Sequence, residues 1–395
     1  MGYKREKKTG FLQRKAVGFA RNLAKNYKYE TIEDDDFFRI FKTIKPEREL
    51  AADLQARLPG EVAAKYLEQE NTGRRKPAAS FAELDDVKKT LAHFYNDYTT
   101  WDEVQKMLVE IADAFLETND DTGADPEQGR FETLVSLLKL SPLEADALLL
   151  ACLFSWQYIE KNYDGNRRNK EFNVSVERFA LHLDARPSEI REIMSADGKL
   201  RRYHCLDKNF NVGENITDFL EGVGKTPLAN RFYTPCEDGA LPWPYFGTLA
   251  EKHGAALKDM LANRAAGQGA HILLHGQPGT GKSSFAAALA KELGFSCYKI
   301  VQNVKNECAE KNDSTKELRF AALQICAEQL APENNLIIID EADDMLRSQD
   351  FKGEVKGDKG MMNRRHQNTL RVDHQHRVIR TRRLDAPALR LLHPL

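Results

Sequence analysis

Eight consecutive residues, Gly276-Gln277-Pro278-Gly279-Thr280-Gly281-Lys282-Ser283, fit the spacing G-x-x-x-x-G-K-[ST] of a phosphate-binding loop. Gly276, Gly279 and Gly281 let the backbone wrap closely, so that successive N–H groups can point inward at an anion. Gln277, Pro278 and Thr280 complete the loop, and Ser284 extends the expected phosphate-binding set by one position. Lys282 can reach the β- and γ-phosphates, which makes it a catalytic as well as a binding candidate, and the Ser283 hydroxyl suits Mg²⁺. Farther along, LIIIDE (Leu336–Glu341) carries four apolar residues into two carboxylates. Asp340 is expected to support Mg²⁺ and Glu341 to polarise a water. Phosphoryl transfer needs such a set because it rests on positioning and charge neutralisation. A lysine behind a glycine-rich turn has little packing value. Asp340 and Glu341 alone would equally suit a solvated strand end, and it is the loop that makes them a site.

These residues need elements that carry them to one place. HILLH ahead of the loop reads as a buried strand, and SFAAALAKEL behind it as a helix whose N-terminal dipole adds to the anion site. FSCYKIV reads as a strand, STKELRFAALQICAEQLA as a helix, and the apolar part of LIIIDE as another buried strand. That order predicts an α/β P-loop NTPase core with a parallel sheet, its nucleotide at the carboxyl ends of the strands. The five residues GVGKT (222–226) are a decoy: Phe219 stands where a first glycine is needed, so the segment is expected to be loop.

Ahead of the core the chain reads as mainly α-helical. Residues 1–125 form a helical region, in which 81–117 gives long helices interrupted near Tyr98–Trp101, followed by a polar loop over 118–129. Residues 130–222 form a winged-helix-like unit. Its first helix opens at the capping box Ser141-Pro142-Leu143-Glu144. VSVERFALHL, a turn at DARP and SEIREIMSADG then give helix, turn and helix, and 199–216 a two-stranded wing. Arg186, Arg191, Lys199, Arg201 and Arg202 would meet DNA if the unit binds it; Glu189, Glu192 and Asp197 dilute the positive stripe, so packing or protein contact is favoured. The Pro-rich segment 234–247 marks the boundary, with the nucleotide-binding core over 236–363 and an atypical tail over 364–395.

Bulk composition fits a cytoplasmic globular protein: 42% hydrophobic, 30% charged and a net charge of −2, which argues against whole-chain capture by nucleic acid or membrane. No apolar run is long enough to span a bilayer. The six cysteines are scattered without a C-x-x-C pair, so neither a zinc site nor a disulfide framework is expected. The first thirty residues hold nine Lys/Arg and an apolar stripe at Phe11, Val17, Phe19, Leu23 and Tyr27. This is a targeting peptide, a membrane-surface helix or, as favoured here, a basic helix lying on the rest of its domain.

The segment from about Leu241 to Leu346 resembles the large subdomain of an AAA+ ATPase, and is similar to bacterial AAA-family ATPases with a helical, winged-helix-like region ahead of one ATPase module. The resemblance rests on Gly276–Ser283, Leu336–Glu341 and the helix between them. It implies ATP and Mg²⁺ as cofactors, ATP hydrolysis coupled to remodelling of a protein, and assembly as a homo-oligomeric ring. A pore loop of aromatic–hydrophobic–Gly type is not visible in 302–316, and the string DEAD at 340–343 is set aside because no second recombinase-type domain follows. The family also needs a fourth strand between the loop strand and the LIIIDE strand, then arginines and a fifth strand. The tail 364–395 instead holds eight Arg and four His, with no Lys, Glu, Gly or aromatic and no strand period, so the module reads as truncated or frameshifted. With permissive codons, a one-base shift of 364–376 spells AVIKTPCVWITN, a family-like strand; on that reading the chain binds ATP with little turnover. A nucleotide-gated DNA-binding regulator is the third expectation.

Overall fold

The structure, a computed structural model, describes residues 10–26, 47–57, 59–73, 77–83, 98–118, 125–156, 158–159, 175–236, 241–263, 270–301, 316–330, 334–342, 370–374 and 389–391. Backbone proximity divides the chain into two compact units, Met1–Val223 and Gly224–Leu395.

The first unit is helical: α1 (Phe11–Asn26), α2 (Glu47–Arg57), α3 (Gly60–Asn71), α4 (Tyr98–Thr118), α5 (Pro126–Leu138), α6 (Pro142–Ser155), α7 (Val176–Leu183), α8 (Pro187–Ile193), α9 (Lys199–Arg202) and α10 (Glu214–Glu221). Its organising element is α1, whose Leu12, Ala16, Val17, Phe19, Ala20, Leu23 and Ala24 are buried, chiefly against α4 and α7. The cations of α1 are matched by carboxylates on its neighbours: Lys15 to Asp146 at 3.1 Å, Lys25 to Asp184 at 2.8 Å, and Arg21 to Asp113. With Val17, Phe19 and Leu23 of its apolar stripe buried, α1 packs within its own unit.

Local chemistry sets the boundaries. The Asp125 carboxylate accepts the N–H groups of Glu127 and Phe11, both at 2.8 Å, which caps α5 and ties the start of α1 to it. The expected loop over 118–129 therefore ends at Asp125, because Pro126 is well suited to the first helical position. The capping box forms: the Ser141 N–H donates to Glu144 Oε2 at 2.8 Å and the Glu144 N–H to Ser141 Oγ at 3.3 Å. Tyr98–Trp101 is the first turn of α4, and the part of the expected interruption that falls on 84–97 lies outside the described residues.

The winged-helix expectation is met only in its helix–turn–helix. Asp184, at φ 50°, ends α7, and α8 follows the turn. Residues expected to make a wing go elsewhere: α9 takes Lys199–Arg202, α10 starts at Glu214, and between them remains one antiparallel bridge, Leu206 with Val212. The basic side chains have local partners. Arg186 pairs with Glu189 at 3.0 Å, Arg191 with Glu177 at 2.6 Å, Arg202 Nη2 donates to the Tyr203 hydroxyl at 2.8 Å, and the Lys199 ammonium donates to the Lys139 carbonyl.

The second unit holds a mixed sheet of order β1-β3-β4-β5-β2-β6: β1 (Tyr233–Pro235), β2 (His271–Leu274), β3 (Ser296–Ile300), β4 (Asn335–Ile339), β5 (Leu370–His374) and β6 (Leu389–Leu391). Strands β3, β4, β5 and β2 are parallel, and β1 and β6 are antiparallel edges. Helices α11 (Ala255–Ala262), α12 (Lys282–Glu292) and α13 (Lys316–Gln329) accompany it. Every residue of β4 is buried, and Leu336 and Ile338 join Ile272, Leu274, Phe285 and Leu289 in one core. Burying such a strand on both faces favours continuous Leu/Ile.

The expectation of a missing fourth strand is corrected. Leu370–His374 lies parallel between β4 and β2, pairing Leu336 with Leu370 on one side and His271 with Arg371 on the other. Without it two buried strands would each leave a ladder of N–H and C=O groups unpaired. The sheet also takes in Tyr233–Pro235, ahead of the boundary expected at 236.

His182 supplies a test of the helical packing. It is fully buried, edge-on to Phe154 at 5.4 Å, with Nδ1 3.2 Å from the Phe19 carbonyl. Burial, with the nearby Arg178 charge, pushes its pKa down to about 3 against the carbonyl's opposing pull. The folded state keeps this ring neutral where the unfolded chain protonates it, so its stabilising contribution is complete above pH about 6.5 and lost as pH falls toward about 3. Urea unfolding between pH 6.5 and 5 should show stability falling with acid, by up to about 1.4 kcal/mol per pH unit from this residue. The His182→Gln variant should show a shallower slope, and equal slopes would contradict the assignment.

Candidate nucleotide site

Strand β2 ends at Leu274, the loop follows from Gly276, and α12 begins at Lys282. Gly279 and Gly281 sit at φ 78° and 79°, where a side-chain-bearing residue is strained. Gly281 is the N-cap of α12 and provides no side-chain cap, so the first N–H groups of the helix are left for an anion. Phe285 fixes the helix by burying its ring against Trp243 and Phe246, at 5.3 Å from each.

The Lys282 ammonium curls back over its own loop, donating to the carbonyls of Gly276 at 3.1 Å and Gln277 at 2.7 Å. Thr280 braces the same turn through its hydroxyl, which donates to the Gln277 carbonyl at 2.8 Å. Gln277, Pro278, Gly279 and Thr280 are exposed. Ser284 lies partly buried on the first turn of α12.

Two distant segments meet at Ser283 and Asp340. The Ser283 Oγ lies 3.1 Å from each carboxylate oxygen of Asp340, which follows directly on β4. Lys299 of β3 reaches the same carboxylate, 2.7 Å from Oδ2. Asp340, mostly shielded, is thus held between a hydroxyl and a cation. Glu341 follows with its side chain exposed and its backbone at φ 50°. For glutamate that conformation costs roughly 1–2 kcal/mol and must be held by its surroundings. Arg319 of α13 does so: its guanidinium is buried, with Nη1 donating to the Glu341 carbonyl at 3.0 Å and Nη2 to the Asp340 carbonyl.

The sequence pattern brought out the loop, Asp340 and Glu341 but missed Lys299 and Arg319. Nothing in their local spacing marks them, since each reaches the site across the sheet. Basic residues placed on the elements flanking LIIIDE were the one available hint.

The residues present suit a nucleoside triphosphate with Mg²⁺. An uncapped helix N-terminus behind a glycine-rich turn, with a lysine, is an anion-binding set. A serine hydroxyl beside a carboxylate is the all-oxygen donor pair that Mg²⁺ takes. A glycine-rich loop joining the first strand of a parallel sheet to its helix, next to an acidic strand end, defines a P-loop NTPase fold.

Comparison with known proteins narrows this. Residues 272–379 match the family described as ATPase family associated with various cellular activities (AAA). The chain is 24% identical over 196 residues to the vesicle-fusing ATPase of Dictyostelium discoideum, covering 49% of this chain and 25% of that protein. It is 26% identical over 206 residues to a mitochondrial Lon protease homolog of Yarrowia lipolytica, covering 50% of this chain and 16% of that one. The chain thus spans a quarter or less of the length of these relatives. No solved structure matches. Over residues 272–379 the chain is therefore similar to the AAA ATPase family. Its match runs through β5 and so extends into the segment from Arg364 that the sequence pattern set apart.

Arg319 gives the test of this geometry. Arg319→Ala should lower ATP turnover by about 100-fold, the scale of a misplaced reacting group, while ATP affinity changes little. Arg319→Lys, which keeps the charge without the two-pronged contact, should recover part of that loss. Equal losses of affinity and turnover would show that Arg319 only supports the fold.

Proposed function

We propose that this chain binds ATP with Mg²⁺ at the loop Gly276–Ser283 and hydrolyses it, using the cycle to remodel a protein or protein complex as a homo-oligomeric ring. The observation that carries the reading is the contact of Ser283 with both carboxylate oxygens of Asp340, beside an uncapped helix N-terminus. Gly276, Gln277, Pro278, Gly279, Thr280, Gly281, Lys282, Ser283 and Ser284 hold the phosphates, and Ser283 and Asp340 hold the metal. Lys282 neutralises phosphate charge, and Glu341 orients and accepts a proton from water. When bound, Mg²⁺ would supply charge neutralisation between phosphate oxygens. Lys299 holds the Asp340 carboxylate in place, and Arg319 holds the turn that presents Glu341. Remodelling and ring assembly are supported by the kinship of the module to AAA proteins; the names of the relatives identify no substrate for this chain.

A second reading, ATP binding with little turnover, is favoured by the composition of 364–395, with eight Arg and four His. A nucleotide-gated DNA regulator has weaker support, since Arg186 and Arg191 already pair with Glu189 and Glu177. Duplex retardation that falls steeply with salt would favour it.

Two substitutions separate binding from chemistry. Lys282→Ala removes charge-assisted bonds to phosphate and should weaken ATP binding by about 10- to 100-fold, or about 1.5–3 kcal/mol. Glu341→Gln should leave binding intact and lower turnover by about 10²- to 10⁴-fold. Wild-type turnover at background across all protein concentrations, with the Lys282 effect on affinity preserved, would select the second reading. Affinity unchanged by Lys282→Ala would refute both.

A further inference from the structure

The antiparallel pair of β1 and β3 brings together two cysteines that lie 61 positions apart in the chain. The ladder matches Tyr233 with Ile300 and Pro235 with Tyr298, so Cys236 falls opposite Cys297. The Cys236 N–H donates to the Cys297 carbonyl at 2.8 Å, continuing the ladder one step beyond the strand. Directly opposed, hydrogen-bonded residues of antiparallel strands hold their Cα atoms about 5.5 Å apart, inside the window a disulfide needs. The two Sγ atoms are 2.7 Å apart and are not bonded to each other. Both residues are only partly buried, whereas Cys152, Cys205 and Cys326 are buried.

We propose that Cys236 and Cys297 form a thiol–disulfide redox site that low-molecular-weight disulfides oxidise to a cross-strand bridge. The roles of the two sulfurs are unequal. The Cys297 thiol donates to Cys236 and, with Lys299 nearby, holds the Cys236 thiol below its ordinary pKa despite burial; the same contact raises Cys297. Cys236 is therefore the attacking thiolate. It attacks one sulfur of the small disulfide, whose S–S bond breaks, giving a mixed disulfide on Cys236 and one released thiolate. Cys297, losing its proton, then attacks the Cys236 sulfur and displaces the second thiolate. Two protein thiols are oxidised, one small disulfide is reduced to two thiols, and the two protons end on those products. Cys205 and Cys152 are poor competitors, since burial pushes the Cys205 thiol up to about 12 and raises Cys152 as well.

The bridge would close a covalent loop that contains the whole phosphate loop, and would fasten the edge of the sheet two residues before Lys299, the partner of Asp340. Oxidation therefore acts on the strand that steadies the metal-supporting carboxylate.

The test treats the full chain with oxidised glutathione, followed by alkylation and peptide mass mapping. The expected product is two hydrogen masses lighter, with a Cys236–Cys297 cross-linked peptide and Cys152 and Cys205 still carrying free thiols after denaturation. Its thermal midpoint should rise and return on adding dithiothreitol. Cys297→Ser should trap one glutathione on Cys236, and Cys236→Ser should give no internal bridge. The proposal is overturned if both residues remain alkylatable after the treatment, if the linkage joins other cysteines such as Cys308, or if Cys297→Ser leaves Cys236 unmodified.

Discussion

Everything at the candidate site depends on what fills the slot between β2 and β4. Asp373 of β5 is opposite Leu273 on one side and Ile339 on the other, so the two neighbours run level and end at one edge. That shared level lets a serine on the first turn of the helix after one strand meet an aspartate just past the other. Central strands cannot reach this state alone, because each buried N–H or C=O left without a partner costs about 1–3 kcal/mol. Backbone pairing thus comes before side-chain chemistry: Ser283 and Asp340 meet because the ladders of three strands agree.

On that frame a few charges do the positioning. Asp340 is held by Ser283 and Lys299, and Arg319 secures the two carbonyls beneath Glu341. Each contact comes from a different element, α12, β3 and α13, so the turn after β4 is fixed from several sides. Partial shielding matters to this arrangement, since the same charges in open water would attract each other weakly. The loop is steadied by Lys282 and Thr280 on its own carbonyls, and α12 by the aromatic packing of Phe285.

What the sequence showed and what it hid follow from the range of the forces involved. The loop between β2 and α12, the apolar run Leu336–Ile339 of β4 and the Ser141 cap are local patterns, and each is found where its spacing put it. Strand β5 was hidden because LRVDH is short and places Arg371, Asp373 and His374 where a central parallel strand usually reads as continuous Val, Ile and Leu. Its place is dictated by the unpaired backbone of β2 and β4 and not by its own period. The expected wing is reduced to the bridge of Leu206 with Val212 because α9 and α10 take residues that a hairpin pattern had claimed. Arg319, Lys299 and the Cys236–Cys297 pair are products of register and packing, which one-dimensional spacing does not carry.

The central claim is that Ser283 and Asp340 together form the metal-supporting half of an ATP site. Calorimetric titration of ATP into the full chain, with and without Mg²⁺, tests it most directly when repeated on Asp340→Ala. The account predicts that Mg²⁺ tightens binding to the wild type and that Asp340→Ala removes most of this gain while leaving metal-free binding in place. Affinity indifferent to Mg²⁺, or a Mg²⁺ effect undiminished by Asp340→Ala, would contradict it.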